Sequence, residues 1–407
     1  MAEPFRPPPP PFAVLTDAEG QGRGWGFSEV FSEAAAELRG GPRGLVVRKG
    51  PRRIPFRGNP LDRLGEALER AEAGAPPGSL WVLAAAYDLR RAVERFENPA
   101  PDDLGLPWIH AFLFTRRRPL SGLSPAGKPP ELPRRWMSRP SKRAFLGGVA
   151  AIVEAERAGE VYEVNLTRRV EAPFRGSAGR LFAHLLPRVR PAFGGLLHAG
   201  AYRLLCLSPE RLLKREGKRV VTEPIKGTVA RGRDPREDRR RAEALLAGGK
   251  EGAELAMAVD VARNDLGRVA VPGTVRAEPA RALLTLPYVH HLFGRVEADL
   301  KPGTTFPDLL EAAFPGASVT GAPKIRAMAF LDRLEERTRG FYCGAFGWME
   351  PGGERFDLCL PIRTAEFLKG RLLYHVGGGI TLDSEPEAEW RETEAKLDPM
   401  LRALIRP

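Results

Sequence analysis

The chain has 407 residues, of which 43% are hydrophobic and 28% charged, and carries a net charge of +12. That balance suits a globular protein with one large core or two ordinary ones. It excludes a bilayer-spanning helix, because the longest apolar run, LWVLAAAY at residues 80–87, is far too short.

The N-terminus lacks a charged start followed by an apolar stretch and cleavage site; residues 7–11 are proline-rich instead. A cytoplasmic protein with a short extended leader is expected. Up to about residue 130, short apolar runs (44–47, 81–86, 109–114) alternate with Pro/Gly breaks. Residues 122–139, rich in Pro, Gly and Ser, read as a connection. Residues 1–130 are therefore expected to form a sub-region adding strands to the same fold, with a catalytic region over 140–400. Beyond the connection, helical and strand-like stretches follow in mixed order, without the strict alternation of a parallel sheet. The expectation is an α+β fold in which two large, mainly antiparallel β-sheets pack as a sandwich with helices outside.

Cys206, Cys343 and Cys359 sit in apolar, strand-like stretches without Cys-x-x-Cys or metal spacing, and read as buried thiols. The densest basic cluster, residues 231–241, interleaves with Asp234, Glu237 and Asp238, as on a solvated helical face. Positive charge could serve a basic nucleic-acid-binding module, or steer a small dianion equally well. Asp234 can cap a helix with Pro235 in its first turn and Gly248-Gly249 at its end. Ser384 and Glu387 form a capping box opening a helix towards Leu401.

Glu251 and Glu254 are three apart in a helical stretch, and Glu389 and Glu392 repeat that spacing, with Lys396 one turn on. Two such pairs facing each other would hold Mg²⁺ through oxygen; the same spacing also suits an ordinary helix surface. The glycine triplet 377–379 follows a strand-like run and could admit an anion to its N–H groups, or be a plain turn. Residues 320–324 (TGAPK) look like a turn feeding a helix N-terminus, another place for an anion. In EPIKGT (223–228), Lys226 follows an apolar Ile; if desolvated it has a lowered pKa and becomes a nucleophile near neutral pH.

Nine segments, in order, carry a resemblance. They are GEVYEVNLTRR (159–169), LSPERLL (207–213), EPIKGTVARG (223–232), ELAMAVDVARNDLGRV (254–269), YVHHLFGRV (288–296), SVTGAPKIRAM (318–328), RGFYCGAFGW (339–348), LPIRTA (360–365) and GGGITLDSEPEAEWRETEAKL (377–397). Together they resemble the chorismate-utilising family of anthranilate, aminodeoxychorismate, isochorismate and salicylate synthases. Members making anthranilate, isochorismate or salicylate resemble PIAGT where this chain has PIKGT. Lysine there is similar to many aminodeoxychorismate synthases, whose lysine is taken to attack C2 of chorismate and expel the C4 hydroxyl before ammonia enters at C4. The product would serve 4-aminobenzoate and folate biosynthesis; anthranilate synthase component I is the alternative.

The resemblance implies further roles. Glu210 would be acid and base at C4. Glu254 and Glu392 would be principal Mg²⁺ ligands, assisted by Glu251 and Glu389, with the metal holding the ring carboxylate. Arg363, Tyr342 and the backbone of Gly378 and Gly379 would hold the other carboxylate. Lys396 would add a cation near the metal-bound carboxylate, and His291, Thr320 and Thr228 would line the pocket. His290 adjoins His291 and competes for that assignment. Glu163 departs from the family, which usually has Gln there, or Lys in isochorismate synthases, where it activates water. Near the start, residues 15–17 (LTD) loosely echo a tryptophan-binding segment of relatives. No Gly-x-Cys-x-Gly elbow is present, so ammonia is expected from a separate glutamine amidotransferase subunit.

Overall fold

A computed structural model describes residues 7–18, 23–123, 128–132, 135–278, 282–286 and 289–405, with side chains to residue 397. The fold is α+β, and its strand pairings are antiparallel. One long strand, Ser28–Gly41, joins two layers. Along one edge its first residues pair with Phe12–Thr16. That layer continues through Phe193–His198, Tyr202–Ser208, Thr364–Leu368 and Arg371–Ile380 to Glu163–Pro173. Along the other edge it pairs with Ile109–Pro119, and the second layer runs through Leu80–Ala85, Ala345–Met349, Arg355–Cys359 and Arg211–Glu216 to Arg219–Glu223. Between Ala34 and Ala36 the register shifts, just after Glu33 at φ 60°. Such a bulge bends a strand, which suits one that serves both layers.

Side-chain alternation explains the layering. In Tyr202–Ser208, Leu204 and Cys206 face the gap between the layers, where they meet Phe112, Phe114, Phe193, Phe346 and Cys359. Leu205 and Leu207 face the other way, under Leu181, Phe182 and Leu185 of the helix Ala178–Val189. A strand apolar on both faces is what a sheet covered on both sides requires. Helices Leu64–Glu72, Gly249–Gly267 and Phe306–Ala313 cover the second layer's outer face. The sandwich with helices outside is the predicted one. Strands preceding residue 120 are hydrogen-bonded directly to strands following residue 190. Cys206 and Cys359 are buried free thiols with sulfurs 3.8 Å apart; Cys343 is also buried and free.

A separate three-stranded sheet, Ile225–Ala230, Val289–Phe293 and Ala282–Thr285, carries Lys226, Thr228 and His291. Tyr288, the first residue of one family-like segment, lies outside the described residues.

Local expectations fared unequally. Asp234 accepts from the backbone N–H of Arg236 (2.8 Å) and Glu237 (2.9 Å), with Pro235 in the first turn. Gly248 ends that helix and begins the next. The capping box of Ser384 and Glu387 does not form. The Ser384 hydroxyl accepts from Thr381 N–H and donates to Glu389 Oε1 (2.7 Å), while Glu387 pairs with Lys142. The helix starts two residues beyond Ser384, at Pro386, and runs to Ile405, so the serine is too early to cap it. Within 231–241 the charges pair locally, Asp238 with Arg231 and Glu237 with Arg241.

Phe346 is fully buried between the layers, edge-on to Trp25 at 5.9 Å. Phe346→Ala is expected to cost about 3–5 kcal/mol in urea denaturation, through lost transfer energy and a cavity the rigid sheets cannot close.

Candidate active site

Lys226 stands in the strand Ile225–Ala230, just before Gly227, whose φ of 62° favours glycine and where a Cβ would press on Glu251 and Leu245 at 3.0 and 3.1 Å. This kink interrupts the pairing register with Val289–Phe293. The Lys226 side chain is 8% exposed and its Nζ donates to Glu163 Oε1, itself 3% exposed. A Cβ on Gly379 would overlap that carboxylate and lie 3.4 Å from Lys226 Nζ. The glycine is thus required by the ion pair. Burial pulls the Lys226 ammonium down, but Glu163, Glu254 and Glu210 outweigh it and hold the amine above the ordinary lysine value. The expectation of a lowered pKa is therefore overturned: desolvation is present, but neighbouring carboxylates dominate it.

The two predicted acidic helices meet. Glu254, on Gly249–Gly267, feels Lys226, Glu163, Lys250 and Glu392. Burial foremost, then repulsion from Glu163 and Glu392, raises its carboxyl. Glu389 is raised by burial first, against the Ser384 hydrogen bond, with Glu392 adding. For Glu392 burial is outweighed by Lys396, Lys250 and Lys226, leaving it lowered. Lys396 pairs with Glu392 (2.7 Å) and donates to Gly377 O (2.8 Å); Lys250 Nζ is 3.8 Å from Glu389. Glu251 packs its Cβ and Cγ against Gly227, next to the lysine, and its Oε2 lies towards Gly248 at the start of its own helix. Among the described residues no three His, Cys, Asp or Glu side chains are gathered closely enough to cage a metal ion. Still, Glu163, Glu210, Glu254, Glu389 and Glu392 outnumber Lys226, Lys250 and Lys396. Of these, the carboxyls of Glu254, Glu389 and Glu392 are the oxygen ligand type that a hard divalent cation takes.

Gly377–Gly379 is not a turn. It continues the strand Arg371–Ile380, paired with residues 165–167, while pairing on the opposite edge stops at Tyr374. A Cβ on Gly378 would come within 3.6 Å of Glu389, Glu392 and Lys396, so the triplet brings bare backbone against the charged cluster. In the 320–324 turn, Gly321 (φ 139°) presses on the Glu163 carbonyl, and the helix Lys324–Leu334 follows Pro323.

Glu210 is 4% exposed. Its carboxylate accepts from the Ser318 hydroxyl, and its N–H donates to Ser208 Oγ (3.1 Å). Burial pushes it up to about 7, against Ser318, the Ile225 N–H and Lys226. It can hold or release a proton near neutrality.

His291 Nδ1 lies 3.0 Å from Gly227 O and 2.9 Å from Thr228 Oγ1; its Nε2 is 2.7 Å from Arg363 Nη2. A carbonyl only accepts and a guanidinium only donates, so the neutral ring carries its proton on Nδ1. Burial, then Arg363, holds its pKa well below the ordinary value. Arg363 has φ 53°, a conformation uncommon for a side-chain-bearing residue, and its carbonyl accepts from Leu207 N–H (3.3 Å). His290 turns elsewhere, to Thr285 and Asp238, leaving His291 as the one at the site. Tyr342 is buried, stacked 5.1 Å from His375, and burial holds its phenol well above its ordinary value, so it stays a donor. Thr320 is fully buried, with its hydroxyl on Gly316 O (3.1 Å). Ser318, Ser384 and Lys250 also touch the cluster; nothing in their spacing singles them out, and only the three-dimensional contacts find them.

A buried Lys226–Glu163 pair with further carboxyls and amines around it is the kind of charge grouping on which acid–base and nucleophilic chemistry is built. Residues 14–402 match the chorismate binding enzyme family, and the chain belongs to it. It is 32% identical to aminodeoxychorismate synthase component 1 of Escherichia coli strain K12, over 93% of this chain and 90% of the relative. It is 38% identical to anthranilate synthase component 1 of Thermus thermophilus, over 97% and 92%. The fold superimposes on anthranilate synthase component I from Streptococcus pneumoniae with a TM-score of 0.79 at 24% identity, covering 98% of this chain and 94% of that one. The protein is a chorismate-utilising enzyme of the anthranilate and aminodeoxychorismate synthase class.

Glu210 moves from an ordinary carboxyl value of 4.5 to about 7 on folding. Above pH 4.5 the unfolded chain releases a proton that the folded chain keeps, so this group costs stability as pH rises towards 7. Glu210→Gln is expected to gain stability relative to wild type across that window, by up to about 3 kcal/mol, and to stay level above it, as measured by urea denaturation at a series of pH values.

Proposed function

We propose that this chain is an aminodeoxychorismate synthase, joining chorismate and ammonia into 4-amino-4-deoxychorismate through a covalent bond to Lys226. The observation that carries the reading is the buried Lys226 amine in the midst of the carboxylate cluster, where alanine could not form an adduct. In the proposed sequence Nζ attacks C2 as the C4 hydroxyl leaves, protonated by Glu210 at its near-neutral pKa. Ammonia then attacks C4 and the amine departs, while Glu210 recovers a proton from the new ammonium. Splitting one difficult substitution into two is the benefit of covalent catalysis.

Arg363, oriented by His291, and the protonated Tyr342 suit a carboxylate held against the bare backbone of Gly378 and Gly379. Thr228 and Thr320 would line the pocket, with Lys396 near the second carboxylate. Glu254 and Glu392, with Glu389 behind them and Glu251 at the margin, would hold Mg²⁺, which when bound supplies positive charge to that carboxylate. The name "component 1" borne by the relatives supports a partner subunit, proposed here as a glutamine amidotransferase delivering ammonia. Among the described residues no helix is long and apolar enough to cross a membrane, and the local pairing of Arg231 and Arg241 supports no nucleic-acid role.

The extensive match to the Thermus relative favours a second reading, anthranilate synthase component I. Product analysis separates them. With chorismate, Mg²⁺, ammonium and an added aminodeoxychorismate lyase, 4-aminobenzoate is expected; anthranilate would reject the proposal. Without ammonia, a denaturant-quenched sample should gain the mass of chorismate less water. Lys226→Ala should lose that species and at least about a hundredfold in turnover, while chorismate still binds; unchanged turnover would remove the lysine from the chemistry.

Stripping divalent ions with EDTA is expected to abolish turnover and Mg²⁺ to restore it, with Glu392→Gln demanding at least about tenfold more Mg²⁺. Turnover indifferent to EDTA would refute the metal assignment.

A further inference from the structure

The site poses a chemical difficulty for its own nucleophile. Lys226 is surrounded by carboxyls: Glu163 in direct contact, with Glu210, Glu254 and Glu392 further out. All of them favour the ammonium, which has no lone pair with which to bond carbon. A dianionic substrate adds negative charge and deepens the difficulty. Some group must take the proton.

We propose that Glu163 is the base that removes the proton from Lys226 Nζ as the amine bonds to carbon, and that returns it when the amine leaves. The inference rests on the lysine-adduct reading above and deepens it. Glu163 Oε1 is the carboxylate oxygen hydrogen-bonded to Nζ. Both side chains are over nine-tenths buried, and the missing Cβ of Gly379 leaves the space they occupy. Glu210, the other candidate, has an oxygen engaged by Ser318 and is already needed at C4. Glu163 also repels Glu156, whose carboxyl is pushed up to about 8 by burial first and then by Glu163 and Asp383. As substrate excludes water, a buried ion pair loses solvation that a neutral amine–carboxylic acid pair does not need. Proton transfer within the existing hydrogen bond is then favoured when the amine must react.

The proton count closes. Ammonium and Glu163 carboxylate become amine and carboxylic acid. The amine forms the N–C2 bond while the C4–O bond breaks, and the hydroxyl leaves as water with the Glu210 proton. Ammonia bonds C4, the N–C2 bond breaks and the amine leaves neutral. Glu210 takes a proton from the C4 ammonium, and Glu163 returns its own to Lys226. Net, chorismate and ammonia give the amino product and water, with every group restored.

The test is ammonia-free adduct formation, followed by intact mass after rapid quenching, in wild type, Glu163→Gln and Glu163→Asp across the range between carboxylate and lysine titration. Glu163→Gln is expected to form adduct about a hundredfold or more slowly, at a rate climbing with hydroxide concentration, while chorismate affinity changes less than about tenfold. Glu163→Asp, which keeps a carboxylate one methylene shorter, should retain the wild-type pH profile at reduced rate, and decides the matter if the Gln variant fails to fold. A Gln variant with wild-type rate and pH profile, or an Asp variant that needs hydroxide, overturns the role of Glu163. In both cases the wild-type adduct still stands. Wild type forming no adduct at all overturns the lysine reading, and this inference with it.

Discussion

A buried amine is stable only if something compensates its lost hydration, and in this protein the compensation comes from Glu163. Much of the surrounding backbone is arranged around that pair. Gly379 is bare because a side chain would collide with the Glu163 carboxylate, and Gly321 is bare because it presses on the Glu163 carbonyl. Gly227 turns the chain immediately after the lysine. Of these three glycines, Gly379 answers to the ion pair itself, Gly321 to the backbone that carries Glu163, and Gly227 to Glu251 and Leu245 beside the lysine. The same pair sets the electrostatic character of the site, because an amine pinned among carboxylates is an ammonium until its partner accepts a proton.

Around this centre the fold supplies rigidity. The lysine's small sheet and the helix Gly249–Gly267 pack on the sandwich, whose two layers share the bent strand Ser28–Gly41. The carboxylates of Glu254 and Glu392 come from helices more than a hundred residues apart, yet repel each other in the folded chain. Arg363 occupies a left-handed backbone conformation and is held by the neutral His291 ring, which is in turn fixed by the Gly227 carbonyl. Sites of chemistry often store such strain, because the surrounding structure over-determines it. The Gly227 kink thus influences both ends of the site, placing the amine on one side and the guanidinium on the other.

Some local readings failed for reasons that are themselves informative. Ser384 with Glu387 has the spacing of a capping box, but the helix begins too late, and tertiary contact draws the serine to Glu389 instead. The glycine triplet has the composition of a turn, yet it is strand, paired with residues 165–167, and a Cβ on Gly377 or Gly379 would overlap the Leu166 carbonyl or the Glu163 carboxylate. Lys226 was legible as a desolvated amine, but the sign of its pKa shift was not. Burial is readable from apolar neighbours in sequence; the opposing carboxylates arrive from residues 163, 210 and 254.

The sequence by itself determined the α+β class, through helical and strand-like stretches in mixed order, and the family, through nine ordered segments. It also offered Lys226 and the two acidic pairs as candidates, since residue type and helical spacing are local properties, while Glu210 was marked only by the family resemblance. Only the tertiary structure decided which charges meet. It brought Glu254 to Glu392, turned His291 rather than His290 towards Arg363, and put Glu163 on the lysine. Coulomb interactions and desolvation depend on distances of a few ångströms between groups far apart in the chain, and no pattern along a sequence encodes those distances.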